Sequence, residues 1–400
     1  MSNQLKGLRI LDLTNVLAGP FCAYQLAQLG AEVIKVEVPG SGDLARQLGA
    51  DPALNKAKMG ASFLAQNAGK RSITLNLKNP SGRDAFRRLV ASADALIENF
   101  RPGVMDRLGL GYADLKAIKP DLVYCGISGF GADGPLRDNP AYDQIIQGFA
   151  GVMSVTGDPE SAPLRVGYPV CDTLGGITAA FALTAALLRR ERTGEGDFVD
   201  VSMLESTLVA MGWAVSNWLI AGVKAQPMGN ENMTAAPSGT FKTGDGLLNI
   251  AANKQEQFET LCRLIERPEL ASDPRFRERE ERKRRRFELK AEIELSLQRD
   301  SASNWAELFN ANDVPAGEVL DVASVLAHRQ VRERGLVRHF PAAPGVGRDI
   351  DVVRAGFRLA SGDPAPSSPP PELGADTHDV LAALGYNAAE IAQLSAEGAI

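Results

Sequence analysis

Basic residues recur beside the predicted strands between residues 70 and 107. Lys70 and Arg71 open the apolar run in "KRSITLNLK", Lys78 follows it, and Arg101 and Arg107 lie in "ENFRPGVMDRLG". Ligands of an open α/β sheet bind at the carboxyl ends of its strands, and several cations there attract an anion. The pattern predicts a site for an anionic ligand with an adenosine phosphate portion, although each cation alone is typical of a solvated surface.

Residues for hydrolytic or metal chemistry are poorly placed. The segment "GISGFG" resembles GxSxG but has Phe130 where the last glycine belongs, and His328, His339 and His378 occur late in the chain without an HExxH motif. The cysteines have no CxxC spacing, so we expect buried free thiols; they are Cys22, Cys125, Cys171 and Cys262. We therefore expect neither a Ser-His-Asp hydrolase nor a metal site.

The opening stretch "GLRILDLTNVLAGPFCAYQLAQLGAEVIKVE" predicts a βαβ unit that ends on Glu37. A dinucleotide site needs glycines where the first strand turns into its helix. Here the turn "TNVLAGP" has one glycine followed by a proline, and no GxxxxGK[ST] motif occurs in the chain. We therefore expect neither an NAD site nor a P-loop, and we assign Glu37 only a structural role.

The fold class predicted for residues up to about 205 is α/β, with a mainly parallel sheet, because short apolar runs alternate with helical patterns. The segment from Asp172 to Arg192 is almost entirely apolar, which predicts a buried helix with Asp172 as its N-cap and Gly194 at its end. Further along, "GTFKTGDGLLNIAA" predicts a β-hairpin. We expect a large domain in 1–200, a linker helix in 201–225, a smaller α+β domain in 226–325, and a return to the large domain in 326–400 with a proline-rich connector at 361–374.

Composition narrows the classes of function. A net charge of −6 over 400 residues argues against general nucleic-acid binding. No apolar run in the sequence approaches the roughly 20 residues that span a membrane, and "MSNQLKG" contains no apolar signal segment. We expect a cytoplasmic protein without membrane or nucleic-acid partners.

With these motifs in hand, the chain resembles the class III coenzyme A transferases, which include the formyl-CoA and carnitine-CoA transferases. The resemblance covers essentially the whole chain and is carried by "LDLTNVLAGPFCAYQLAQLGAEVIKVE", "NAGKRSITLNLK", "IENFRPGVMDRLGLGY", "GISGFGADGP", "YDQIIQGFAG", "GYPVCDTLGG", "TGEGDFVDVSMLES", "VPAGEVLD" and "LGADTHDVLAALG". It implies a Rossmann-like large domain, a small domain and an interlocked homodimer. It also implies an acyl-CoA donor and a carboxylic acid acceptor, with the coenzyme A thioester as substrate and no permanently bound cofactor.

The resemblance implies that Asp172 is the nucleophile, through an aspartyl-CoA thioester. From the residues alone, Asp172 could equally be only a helix cap, and we expect its carboxylate to stay ionised at the helix N-terminus. The other active-site positions that the resemblance implies, with weaker support for Arg46, are Leu17, Tyr142, Asp143, Arg46 and Arg137. The implied coenzyme A contacts are Asn15, Val16, Ala18, Arg71, Leu75, Lys78, Asn99, Phe100 and Arg107.

Two departures from formyl-CoA transferase bear on the substrate. Leu17 stands where that enzyme has a glutamine, and "NENMTAAPSG" stands where it has a glycine-rich flap. Both argue against oxalate and formate. We expect succinyl-CoA as donor and a short dicarboxylate as acceptor, whose second carboxylate would meet Arg46, Arg137 or Arg165; carnitine-like and aromatic acids stay open as acceptors.

Two alternative functions use the same fold. The α-methylacyl-CoA racemases have a histidine followed by an aspartate where this chain has Tyr142 and Asp143, so the base that abstracts a proton beside the thioester is absent. A non-catalytic coenzyme A-binding protein would be expected to lose the nucleophile, whereas Asp172 is present.

Overall fold

A computed structural model describes residues 3–400. The chain forms two compact units. The large unit comprises the residues up to Val152, Val166–Val223 and Arg334–Ile400, and the small unit comprises Met153–Arg165 and Lys224–Glu333.

Eleven strands are present in the described residues. They are β1 Arg9–Asp12, β2 Glu32–Glu37, β3 Arg71–Thr74, β4 Ala95–Glu98, β5 Val123–Ser128, β6 Asp197–Ser202, β7 Ser238–Lys242, β8 Leu247–Ala251, β9 Ala316–Glu318, β10 Val337–Phe340 and β11 Ile350–Val353.

The helices of the large unit lie between and after its strands. They are α1 Ala18–Gln28, α2 Pro52–Lys56, α3 Ala61–Asn67, α4 Pro80–Ala91, α5 Val104–Arg107, α6 Tyr112–Ile118, α7 Asp143–Phe149, α9 Val170–Thr193, α10 Met203–Ala210, α11 Trp213–Ala221, α18 Thr377–Ala383 and α19 Ala388–Ala396. The remaining helices are α8 Val152–Val155, α12 Gln255–Leu264, α13 Arg279–Arg284, α14 Arg286–Leu297, α15 Ala302–Asn310, α16 Val322–Ala327 and α17 Arg329–Glu333.

The large unit is built on a parallel six-stranded sheet in the order β3-β2-β1-β4-β5-β6. This confirms the predicted α/β class. Strand order reverses between β1 and β4, and in such sheets ligands bind in the crevice outside the carboxyl ends of the strands at that point. The loops that follow β1 and β4 therefore meet where a ligand site is expected.

Both faces of this sheet are covered by helices. On one face α1 and α9 pack through Leu26 and Leu183, and on the other face α4 and α19 pack through Phe86 and Ile391. The apolar strands in the middle of the sheet are buried on both sides, as is usual in parallel sheets.

Helix α9 corrects two expectations from the sequence. It begins at Val170, so Asp172 lies inside its first turn and is not its N-cap, which is Pro169; Gly194 ends the helix as predicted. Among residues 3–400 it is also the one helix long and apolar enough to cross a membrane, so the prediction that no segment has this character was wrong. Core helices have the same composition, and α9 buries Gly175, Ala179 and other residues in the large unit.

The linker helix expected in 201–225 is interrupted. Gly212, with φ of 48°, separates α10 from α11, because this backbone conformation is easily adopted only by glycine. None of the residues of α11 is buried, although most are apolar.

The small unit contains the predicted hairpin. Strands β7 and β8 pair antiparallel, and β9 adds to β8. Their core is filled by Phe241, Phe258 and Phe309, with helices α12, α14 and α15 supplying the remaining apolar side chains.

Candidate active site

The loop after β1 is held against the loop after β4 by an asparagine pair. The backbone N–H of Asn15 donates to Oδ1 of Asn99 and the Nδ2 of Asn99 donates back to the Asn15 carbonyl, both at 2.8 Å. Gly176 brings α9 close to this loop, because a Cβ at this position would lie 2.5 Å from the Ala18 carbonyl oxygen. A Cβ at Gly175 would lie 2.9 Å from the Met203 side chain, so this glycine lets α9 approach α10. The second glycine of "DTLGG" thus lets the first turns of α9, which carry Asp172, approach the Asn15–Ala18 loop.

Asp172 lies in the wall of a cavity of about 230 Å³, which we call the Asp172 cavity. Arg101 is its one cationic wall residue among the described residues. The wall is formed by Asn15, Val16, Leu17, Ala18, Asn99, Phe100, Arg101, Ile127, Ser128, Gly129, Pro140, Ala141, Tyr142, Asp172 and Met203.

Asp172 is electrostatically unusual. Burial, with a further contribution from the nearby Asp143 carboxylate, raises the pKa of Asp172 to about 7. The expectation that a helix N-terminus keeps this carboxylate fully ionised was therefore wrong at neutral pH. A carboxylate with a raised pKa in a cavity is a characteristic of functional sites, because a more basic carboxylate is the stronger nucleophile or base.

Asp143 is fixed beside the first turn of α9. Its Oδ1 accepts a hydrogen bond from the Cys171 N–H at 2.8 Å and a longer one from the Asp172 N–H at 3.4 Å, while Oδ2 accepts one from Gln147 at 2.6 Å. The Asp143 carboxylate thereby accepts hydrogen bonds from backbone N–H groups in the first turn of α9, and its negative charge lies close to Asp172. The preceding residue, Tyr142, is exposed and lines the Asp172 cavity.

A second cavity of about 230 Å³, the Lys78 cavity, shares Asn15 and Phe100 with the first. It is mostly apolar, with the exposed Lys78 as its cation. Its wall is formed by Leu13, Thr14, Asn15, Val36, Glu37, Val38, Gly42, Asp43, Leu75, Asn76, Leu77, Lys78, Phe100, Val104 and Leu108. The two cavities together offer an apolar and cationic compartment beside one that holds a reactive carboxylate.

Several predicted site residues lie elsewhere. Arg46 is fully buried and its guanidinium makes two hydrogen bonds to Glu37, at 2.7 and 2.8 Å, while stacking on Phe63. Arg46 lines neither cavity and is committed to this ion pair, so its guanidinium is not available to a substrate carboxylate. The structural role expected for Glu37 is this ion pair. Arg71 opens β3, at the strand end away from Lys78, and pairs with Glu32 and Asp376.

The remaining cations differ in how accessible they are. Lys70 is buried against Asp12 at 2.8 Å, and burial lowers its pKa to about 8, so it does not belong to a solvated rim. Arg107 is exposed at the end of α5 without lining either cavity. Arg137 is exposed and lines a separate cavity of about 150 Å³ beside Glu98. Arg165 belongs to the small unit and is exposed.

Two features of the site were missed at the level of sequence. Burial raises the pKa of Glu98 to about 7, with Asp106 and Asp200 adding to the effect. A group of buried charges also lies behind the Asn15–Ala18 loop; we call Asp12, Lys35, Asp43 and Lys70 the buried charge cluster. The one signal for the buried charge cluster in the sequence was the lysine inside the otherwise apolar middle of the strand "EVIKVE".

Residues 5–377 match the sequence pattern of CoA-transferase family III. The chain belongs to this family. Members act on coenzyme A thioesters, and the mouse succinyl-CoA:glutarate CoA-transferase is 36% identical over 397 residues, covering 99% of this chain and 90% of the relative. The acetyl-CoA:oxalate CoA-transferase of Acetobacter aceti is 42% identical over 332 residues, covering 83% and 84%.

A solved structure supports the same assignment. A CaiB/BaiF family protein from Brucella suis matches with a TM-score of 0.84 and 34% identity, covering 96% of this chain and 100% of that one. This class III CoA-transferase therefore has the fold that its motifs imply, and its chemistry is coenzyme A transfer between acyl-CoA and carboxylic acids. Neither His339 nor His378, the two histidines of the large unit, lines the Asp172 cavity among the described residues, which leaves the racemase alternative without its base.

Proposed function

We propose that this CoA-transferase moves coenzyme A from succinyl-CoA to a short dicarboxylic acid through an aspartyl-CoA thioester on Asp172. The observation that carries the proposal is the position of Asp172: a half-buried carboxylate, without a cationic partner, in the wall of the cavity that the Asn15–Ala18 loop lines. A nucleophile held by salt bridges would be stabilised in its unreacted state, and this one is not.

The exchange runs through two pairs of acyl transfers. An Asp172 oxygen attacks the thioester carbonyl of the donor, the C–S bond breaks, and a mixed anhydride and free thiolate result. The thiolate attacks the aspartyl carbonyl, which releases succinate and leaves coenzyme A on Asp172. The acceptor carboxylate then attacks this thioester to form a second anhydride, and the thiolate takes the acceptor acyl group and restores Asp172. Covalent catalysis divides one difficult exchange into simpler steps.

Coenzyme A would extend across both cavities. We place the thioester at Asn15, Val16 and Ala18 beside Asp172, and the nucleotide portion in the apolar Lys78 cavity with Leu75 in its wall. Lys78 would contact a phosphate because phosphates need cations as well as amides. Phe100 lines both cavities and Asn99 lines the Asp172 cavity, so both would lie along the bound coenzyme A, and Arg107 would contribute charge at the outside.

The names of the relatives support a dicarboxylate acceptor. The mouse relative is named for succinyl-CoA and glutarate, and the bacterial relative for acetyl-CoA and oxalate. The latter, at 42% identity, weakens the exclusion of oxalate that Leu17 suggested. For the second carboxylate of the acceptor we favour Arg101, the cation in the wall of the Asp172 cavity, with Arg137 as the alternative.

The test is mass spectrometry of the protein after incubation with succinyl-CoA in the absence of acceptor. We expect a coenzyme A adduct on the peptide that contains Asp172, and its loss together with a fall in transfer on the order of 10³-fold or more in Asp172→Asn. The matched control is Asp84→Asn, whose side chain is 71% exposed on α4. Wild-type transfer by Asp172→Asn would refute the covalent route, and glutarate, oxalate, carnitine and an aromatic acid tested as acceptors identify the substrate.

We further propose that the protein is a cytoplasmic homodimer, interlocked as the resemblance implies. Its support is the apolar surface of α10 and α11, where Val209, Trp213, Leu219 and Ile220 are all more than two-thirds exposed. Apolar patches of this kind mark protein–protein interfaces. Light scattering in solution is expected to give twice the chain mass of 42.6 kDa, and a mass of one chain would contradict the proposal.

A further inference from the structure

Val16 adopts a backbone conformation that is unusual for its residue type. Its φ is 68°, in the left-handed region, where β-branched residues are genuine outliers. It lies in the middle of the Asn15–Ala18 loop, in the wall of the Asp172 cavity. Such strain persists only where the surrounding structure holds it in place.

Asp43 provides the direct restraint on Val16. The backbone N–H of Val16 donates to Oδ1 of Asp43 at 2.9 Å, and the N–H of Ala45 donates to the same oxygen at 2.8 Å. The Asp43 side chain is fully buried, which makes a hydrogen bond to its charge strong. Asp43 belongs to the loop after β2, so the strained residue is fastened to a neighbouring strand of the sheet.

Lys35 provides a second restraint on the loop, through Asp43 and through the Thr14 carbonyl. Its Nζ lies 2.9 Å from Oδ2 of Asp43 and donates to the Thr14 carbonyl at 2.8 Å. Burial would lower the pKa of Lys35, but the carboxylates of Asp12 and Asp43 hold it above its usual value, so the lysine is charged. Lys35 and Asp43 therefore hold the loop on both sides of Asn15: Lys35 binds the carbonyl of Thr14, and Asp43 binds the N–H of Val16.

We propose that Asp43 and Lys35 are positioning residues that fix the Asn15–Ala18 loop in the conformation that presents an acyl-CoA to Asp172. This rests on the proposed function. Asp43 contacts no reacting atom in it: although it lies in the wall of the Lys78 cavity, its carboxylate is committed to Lys35 and to two backbone amides. Its contribution acts through the shape of the loop.

A double-mutant cycle between Asp43→Asn and Val16→Gly tests the proposal. Asparagine loses the charge that holds the amide, and glycine adopts a positive φ without strain, so the loop needs less restraint. In the Val16 background, we expect Asp43→Asn to slow formation of the Asp172 adduct about 10- to 100-fold, since small misplacements near reacting atoms have effects of this size. In the Val16→Gly background the same change should slow it several-fold less. An equal loss in both backgrounds would overturn the proposal.

Asp43→Glu keeps the test decisive if Asp43→Asn does not fold. Glutamate preserves the charge beside Lys35 but places its oxygens differently relative to the Val16 amide. We expect the variant to keep its fold, to slow adduct formation, and to be partly rescued by Val16→Gly. Wild-type adduct formation by folded Asp43→Glu would show that the amide contact does not matter.

Hydrogen exchange of the Val16 amide separates this proposal from the proposed function, because it needs no reaction. In the ligand-free protein, we expect exchange at Val16 to become at least about tenfold faster in the Asp43 variants, as follows from the loss of a protecting hydrogen bond. If the wild-type protein forms no adduct, the proposed function fails, while the exchange result still decides whether Asp43 restrains the loop. Unchanged exchange would overturn the positioning role.

Discussion

Asp12, which is fully buried, and Asp172, which is half-buried, are two aspartates of the large unit with opposite pKa shifts. Although burial opposes ionisation of Asp12, the nearby Lys35 and Lys70 lower its pKa to about 2. Asp172 has no such partner, and burial together with Asp143 raises its pKa to about 7. Burial raises the pKa of both carboxyl groups, and only Asp12 has cations beside it that reverse the direction of the shift. Asp12 belongs to the scaffold of the loop, and Asp172 is available for reaction.

The largest effect on stability is expected at Asp12, the aspartate that is paired with Lys35 and Lys70. Asp12→Asn would leave Lys35 and Lys70 buried with less compensation, so we expect the free energy of unfolding at pH 7 to fall by about 3–5 kcal/mol. Chemical denaturation measures it. Asp84→Asn, at an exposed position of α4, should remain within about 0.5 kcal/mol of wild type. A loss below about 1 kcal/mol in Asp12→Asn would show that the cluster does not depend on this charge.

Asp172→Asn should change the free energy of unfolding in the opposite direction, because Asp172 has no cationic partner. A raised carboxyl pKa means that the folded protein loses stability as pH rises from about 4 to 7. Replacing Asp172 by asparagine removes this cost, and we expect a gain of roughly 1–3 kcal/mol at pH 8 that disappears near pH 4. Denaturation of Asp172→Asn and wild type at both pH values provides the comparison. Destabilisation at pH 8 would mean that the ionised carboxylate is well solvated or paired.

The smallest effect concerns the charge beside Asp172. Asp143→Asn removes the like charge while keeping an oxygen that can accept the Cys171 N–H. We expect the acidic limb of the pH profile of kcat/KM to move down by about half to one pH unit, because the carboxylate of Asp172 ionises more easily without a neighbouring charge. Profiles of the variant and wild type with the same acyl-CoA test it. A limb that stays in place or moves upward would assign the raised pKa to burial alone.

The sequence predicted the architecture better than the electrostatics. The α/β sheet, the hairpin of β7 and β8 and the end of α9 at Gly194 followed from local patterns. The N-cap of α9 was misplaced by three residues, at Asp172 instead of Pro169, because sequence patterns define helix ends poorly. Arg46 and Lys70 were misassigned to the ligand site because their partners, Glu37 and Asp12, are brought to them only by the packed sheet.

The pKa of Asp172 could not be predicted for the same reason. Its shift depends on burial and on Asp143, which lies 29 residues earlier in the chain and reaches α9 through the packing of α7. Likewise, nothing in "TNVLAGP" shows that Val16 has a positive φ or that Asp43 holds its amide. Motifs identified the candidate nucleophile, and only the three-dimensional arrangement gives its charge state.

The most direct test is the rate of coenzyme A adduct formation on Asp172 as a function of pH. Wild-type protein is mixed with succinyl-CoA without acceptor, quenched at successive times, and analysed by mass spectrometry between about pH 5 and pH 9. Because only the ionised carboxylate attacks the thioester, we expect the rate to rise with pH to a plateau, with its midpoint near the Asp172 pKa of about 7. A rate that is already maximal at pH 5, or an adduct on a residue other than Asp172, would contradict the account.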